Sequence, residues 1–95
     1  MLQSETGFEE FSEAVLKAAS YAHCELLRIH PFVNGNGRLA RTVVNYFAVR
    51  YGFLRIQYDR PAGEYNEAIR AWLYHRNING FMDFLRPTWQ RLPAR

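Results

Sequence analysis

Cysteine is all but missing from this 95-residue chain. Cys24 stands alone, so no disulfide framework and no cysteine-based metal cluster can form within it. Lysine is equally scarce. Eleven of the twelve basic residues are arginine, with Lys17 the exception, and they are scattered rather than gathered into the stripe a nucleic-acid binder presents. No apolar run approaches the roughly 18–20 residues of a membrane span, and no basic-plus-apolar leader opens the chain. A cytoplasmic setting without membrane contact is therefore expected. Alternating strand patterns, internal repeats and low-complexity stretches are also lacking. The length allows one modest core rather than two.

What is present is apolar residue in helical rhythm. Phe8, Phe11, Val15, Ala18, Ala19, Ala22, Leu26 and Ile29 recur at helical spacing, with Glu9, Glu10, Glu13 and Lys17 opposite them. This predicts a long amphipathic helix, preceded by a polar Met1 to Gly7 that frays. Leu39, Ala40, Val43, Val44, Phe47, Ala48 and Tyr51 predict a second helix, stopped by Gly52, whose two apolar rows imply burial on more than one side. Phe53 to Asp59 reads as an extended connector. Arg60-Pro61 then starts a third helix carrying Ala62, Tyr65, Ala68, Ile69, Trp72 and Leu73, which Asn77 to Gly80 breaks. Phe81, Phe84, Leu85 and Trp89 fall in a short last helix, and with Trp72 they read as packing residues. The expectation is an all-α fold in one domain, 1–95, with its core over about 8–86.

Between the first two helices the rhythm stops. The stretch His30-Pro31-Phe32-Val33-Asn34-Gly35-Asn36-Gly37-Arg38-Leu39-Ala40-Arg41 replaces core residues with a histidine, glycines, asparagines and arginines. Pro31 removes a backbone donor and pushes His30 out of the helical region, so the first helix should end at about His30. Gly35 and Gly37 can take positive φ and bare their N–H groups, and Asn36 tolerates the left-handed region and can cap the second helix. Helix resumes at Arg38. The loop therefore lies at a helix N-terminus, where unpaired N–H groups and the dipole favour an anion. Arg38 and Arg41, three apart, share a face and can converge on one phosphate chain. A net charge of +3 suits such a ligand.

This string resembles the signature of the Fic family, His-x-Phe-x-(Asp/Glu)-Gly-Asn-Gly-Arg-x-x-Arg, at His30, Phe32, Gly35, Asn36, Gly37, Arg38 and Arg41. The flanking helices and the later Arg60-Pro61, Tyr65 and Ala68 segment are similar to the family's core as well. The resemblance implies a compact Fic-type helical domain that transfers AMP, or a related phosphoryl-linked moiety, from ATP to a Ser, Thr or Tyr hydroxyl of a target protein. His30 would be the general base, a task suited to an imidazole. Phe32 would fix the loop, Gly35, Asn36 and Gly37 would cradle phosphates, Arg38 would neutralise the leaving pyrophosphate and Arg41 would hold the terminal phosphate.

One motif position departs. Asn34 stands where the family carries a carboxylate that ligates Mg²⁺ or Mn²⁺, and an amide brings an oxygen without a charge. The alternative reading is accordingly a nucleotide-binding protein with weak or lost turnover, and a third is a helical interaction domain whose loop binds another anion. Tyr65 falls where the family places an aromatic near the base, so it is a candidate for base stacking, the plainer reading being a core tyrosine with its hydroxyl at the surface. His23 is read as a partly buried helix residue with a hydrogen-bond partner. No segment before Phe8 could form the β-hairpin flap that docks targets in the family, so the chain is expected to be a fragment or a reduced copy. Some members are silenced by an inhibitor glutamate, supplied in cis or by an antitoxin-like partner. Thr6 to Glu10 matches part of that pattern, but Phe11 stands next where Gly or Asn is wanted, and Glu10 is read as a first-turn glutamate favoured by the helix dipole.

Overall fold

Four helices account for nearly all regular structure in the computed structural model, which describes residues 5–30, 35–58, 60 and 62–93, the side chains of Glu5 and Thr6 excepted. They are α1 (Glu5–Ile29), α2 (Asn36–Arg50), α3 (Ala62–His75) and α4 (Asn79–Leu85), followed by a 3₁₀ turn, Arg86–Thr88. The fold is all-α, as the periodicity predicts. No strand occurs among the described residues. Phe53 and Arg91 make one isolated antiparallel bridge that returns the end of the chain to the α2–α3 connector.

At 25 residues, α1 is roughly 37 Å long and accounts for most of the 44 Å long dimension of the molecule. It begins earlier than expected: Gly7 is helical, which places Glu10 in the second turn rather than the first. Glu10 is exposed there. The buried stripe of α1 is also rotated from the expected one. Val15, Leu16, Ala19, Ser20, His23 and Cys24 are buried, whereas Phe11, Ala18 and Ile29 are exposed. Hydropathy reading misses this face because Ser20, His23 and Cys24 are not conventional core residues, yet small side chains let α2 approach closely and the imidazole is enclosed by aromatic rings.

Against that stripe lies α2, which buries Asn36, Ala40, Val44 and Ala48 at four-residue intervals. Only this row is fully buried. Leu39, Val43 and Phe47 are half-buried and Tyr46 and Val49 are exposed, so α2 is not covered on two sides as its apolar rows imply. Tyr51 is its C-cap. Gly52 comes next at φ +91°, the left-handed step that glycine takes without a Cβ penalty, and turns Phe53 into the core. The Asn45 side chain then holds the connector, its Oδ1 accepting the Ile56 N–H at 2.6 Å.

α3 and α4 close the same core through Ala68, Trp72, Ile78, Phe81, Met82, Phe84 and Leu85, which cluster with Leu16, Ala19 and Cys24 of α1 and Val44 of α2. Trp72 combines packing with a polar link, its Nε1–H donating to Glu25 on α1 at 2.8 Å. Gly80, expected in the break after α3, belongs to the first turn of α4. Trp89 stacks on Phe53 and donates its Nε1–H to Ser12.

Candidate functional site

The site is the junction of α1 and α2. The last regular residue of α1 is Ile29, and His30 still donates its N–H to the Leu26 carbonyl at 3.1 Å before the backbone turns to φ +53°. The helix thus ends where Pro31 requires it. Because α1 outruns its packing partners here, the His30 side chain is exposed. Pro31, Phe32 and Asn34 lie outside the described residues, and with them the expected loop anchor and the expected metal ligand.

From Gly35 onward the loop is described. Gly35 sits at φ +87° and its carbonyl accepts the Leu39 N–H at 2.9 Å, which makes it the N-cap of α2. Among the described residues no side chain caps this helix start and no acidic residue occupies its first turn. This end of the helix therefore carries no negative charge of its own to compete with an anionic ligand.

Asn36 and Gly37 behave differently from expectation. Neither takes a left-handed conformation: Asn36 is the first residue of α2, and Gly37 is helical. Asn36 is buried, and its side chain reaches back so that Nδ2 lies 3.3 Å from Nδ1 of His30. One turn of helix is thereby tied to the imidazole. Gly37 lies close against Arg41: a Cβ there would come within 3.2 Å of a guanidinium nitrogen, a tight contact that the arginine would have to relieve by a few tenths of an ångström. The i, i+4 spacing brings the two together.

The two motif arginines enter from different depths. Arg38 is exposed, whereas Arg41 is half-buried and turns inward towards Tyr58 and Tyr65, its Cζ 5.9 and 5.8 Å from their ring centres. Beside it is a cavity of about 230 Å³ lined by Arg41, Tyr58, Arg60, Ala62, Tyr65 and Phe84. None of these six is acidic. Among the described residues the Tyr58 hydroxyl and Arg60 Nε are buried without a hydrogen-bond partner, and the Arg60 guanidinium lies over Phe84 at 3.9 Å while donating to the Phe84 carbonyl. Its carboxylate neighbour, Glu64, is 3.7 Å away and mostly in solvent. Two guanidinium groups and an unpaired hydroxyl make this an environment for negative charge. Tyr58 has no periodic or motif signal that would mark it from sequence, whereas Arg60 lies in the Arg60-Pro61 segment already noted as similar to the family's core.

Tyr65 joins the cavity to the core. Its hydroxyl is not at the surface but turned onto Nε2 of His23, 2.7 Å away, and it also lies 3.5 Å from Arg41 Nη1. Burial raises the Tyr65 pKa above its ordinary value, while the Arg41 hydrogen bond opposes that rise. His23 has the hydrogen-bond partner expected of it, but is fully rather than partly buried. Burial first, and then the charge of Arg41, push its pKa down to about 3. The adjacent Cys24 thiol is pushed up to about 12 by burial and the Glu25 charge, so it is an inert core group.

Comparison with known proteins finds matches over the segment that carries this site. The family model described as the Fic/DOC family matches residues 2–48, which take in α1, the loop and most of α2. Relatives include the protein adenylyltransferase Fic of Drosophila persimilis, 49% identical over 35 residues, covering 37% of this chain and 7% of the relative. Protein adenylyltransferase fic-1 of Caenorhabditis elegans is 45% identical over 38 residues, covering 40% and 8%. Protein adenylyltransferase Fic of Nematostella vectensis is 35% identical over 81 residues, covering 80% of this chain and 18% of the relative. The chain thus spans less than a fifth of the length of each of these relatives. No solved structure matches it. No helix among the described residues is long and apolar enough to cross a membrane. With the motif histidine at the end of one helix and the motif arginines on the next, inside the matched segment, the chain belongs to the Fic/DOC family.

Proposed function

We propose that this chain transfers AMP, or a related phosphoryl-linked group, from a nucleotide such as ATP to a hydroxyl side chain of a target protein. The observation that carries the reading is the pairing of an exposed His30 with the start of α2, tied together by Asn36. The adenylyltransferase names of the relatives support the same chemistry. In the reaction the target oxygen bonds to the α-phosphorus, the bond from that phosphorus to the bridging oxygen breaks, and pyrophosphate leaves. The hydroxyl proton goes to His30. General-base catalysis of this kind contributes about 10²–10⁴-fold.

His30 acts through Nε2 in this scheme, so its ring proton resides on Nδ1 and is donated to Asn36. That requires the amide to present its oxygen to the ring, an orientation one half-turn from the nitrogen-facing one and equivalent in shape. The first-turn N–H groups of α2 and Arg38 receive the leaving phosphates, and Arg41 holds the terminal phosphate at the mouth of the cavity. Tyr65, pressed against Arg41, is assigned to the arginine end of the nucleotide rather than to its base.

Mg²⁺ or Mn²⁺ would meet a loop without carboxylates. Segment 30–41 contains no Asp or Glu, and the described residues hold no group of three His, Cys, Asp or Glu able to bind a metal. Asn34 supplies an amide oxygen, which fits an ion carried mainly by the nucleotide's own phosphates. When bound, the metal would offset phosphate charge. This donor set favours the second reading, a nucleotide-binding protein with weak turnover.

The test is incubation with α-phosphate-labelled ATP, Mg²⁺ and a cell lysate. Label transferred to protein by the wild type and lost with His30→Ala supports transfer. Label seen only with Asn34→Asp would establish the second reading instead, and label with neither would overturn both as enzymes.

A further inference from the structure

A buried histidine ordinarily needs only one partner, but His23 has a partner that itself touches the phosphate machinery. We infer that His23 is a positioning residue: through the Tyr65 hydroxyl it fixes the guanidinium of Arg41 and so the grip on the terminal phosphate of the nucleotide. The role in phosphate binding rests on the function proposed above. The relay of hydrogen bonds does not.

Donor and acceptor capacities fix its first link. Arg41 has no acceptor, so Nη1 donates to the Tyr65 oxygen at 3.5 Å. In the relay the Tyr65 O–H donates in turn to Nε2 of His23, 2.7 Å away. That direction leaves Nε2 bare and puts the ring proton on Nδ1, facing the Cys24 sulfur at 3.8 Å. The imidazole cannot rotate out of this arrangement. It lies flat on Phe81, with ring centres 4.2 Å apart and planes at 20°, and meets the edge of Tyr65 at 80°. The chain runs Arg41 to Tyr65 to His23 to Cys24 and crosses from α2 through α3 into α1.

The groups facing the imidazole keep it neutral. Arg41 from α2 repels a second positive charge, Tyr65 from α3 gives a hydrogen bond that only a bare nitrogen can accept, Phe81 from α4 excludes water, and Cys24 offers a weak acceptor. Gly37 also lies close to Arg41, and a methyl group there would meet Nη1 at 3.2 Å. The guanidinium therefore sits beside a glycine that leaves it room and a tyrosine whose lone pair is aimed by a histidine. A leucine at position 23 would fill the volume and leave the Tyr65 O–H without its acceptor.

Two measurements on the whole chain test this. Ring ¹⁵N NMR of the protein labelled at histidine nitrogen should show His23 as the neutral Nδ1–H tautomer, and Tyr65→Phe should shift its ring signals. An Nε2–H tautomer, or signals that Tyr65→Phe leaves unmoved, would overturn the relay, and this arm needs no nucleotide. Calorimetric titration supplies the second arm. His23→Leu should weaken ATP binding about tenfold while leaving AMP binding unchanged, and His23→Gln, whose carbonyl can accept from Tyr65, should restore ATP binding to within about threefold. Equal losses for ATP and AMP, or no loss for ATP, would overturn the positioning role. A wild type that binds no ATP would instead refute the proposed function, and the NMR result would still decide the relay.

Discussion

His23 and His30 stand two helical turns apart on nearly the same face of α1, and they have opposite environments. His23 is enclosed by Tyr65, Phe81 and Cys24 and does not meet water, whereas His30 stands where α1 has outrun its packing and is exposed. The difference shows that residue type and helical phase do not decide a histidine's task. What decides it is whether the helix is covered at that turn. The covered imidazole is locked neutral and serves geometry, and the uncovered one is open to a substrate hydroxyl.

The comparison breaks most visibly in catalysis. His30→Ala should lower AMP transfer by about 10²–10⁴-fold in a single-turnover assay, while His23→Leu should raise the KM for ATP and leave kcat near wild type. Acid should separate the two histidines next. Unfolded histidine takes up a proton near its ordinary 6.5, whereas folded His23 resists until about 3, so the unfolded state binds the extra proton between those values. Stability from this group is fully present above 6.5 and falls by about 1.4 kcal/mol per pH unit as the pH drops towards 3. Denaturant titrations of wild type and His23→Gln should diverge by that slope, and parallel curves would show that His23 is not held neutral.

Two smaller effects sharpen the contrast between loop and core. Gly35→Ala forces a Cβ into φ +87° and should cost about 1–2 kcal/mol in thermal unfolding. Glu13→Gln removes the charge and one of the two oxygens that accept from Arg86, whose hydrogen bond lowers the Glu13 pKa, but the pair is half-exposed, so the loss should stay below about 1 kcal/mol.

Much of this architecture is legible in the residues. Helical period, the Pro31 stop and the left-handed steps at Gly35 and Gly52 place α1, the loop and α2 in order, because each is a local backbone preference. The loop motif likewise announces an anion site through its donors and arginines. What stays hidden is tertiary. That α1 buries His23 depends on Tyr65 and Phe81 from later helices, and that Gly37 lies tight against Arg41 appears only once the guanidinium has turned inward. Tyr58 and Arg60 reach the cavity because Asn45 pins the connector at Ile56, a contact with no periodic signature.

The most direct measurement is transfer of α-labelled AMP to protein by wild type, His30→Ala and His23→Leu side by side over a range of ATP concentrations. The division of labour between the two histidines requires that His30→Ala loses transfer at every concentration and that His23→Leu recovers it at high ATP. Transfer that survives His30→Ala, or that high ATP cannot recover in His23→Leu, would contradict it.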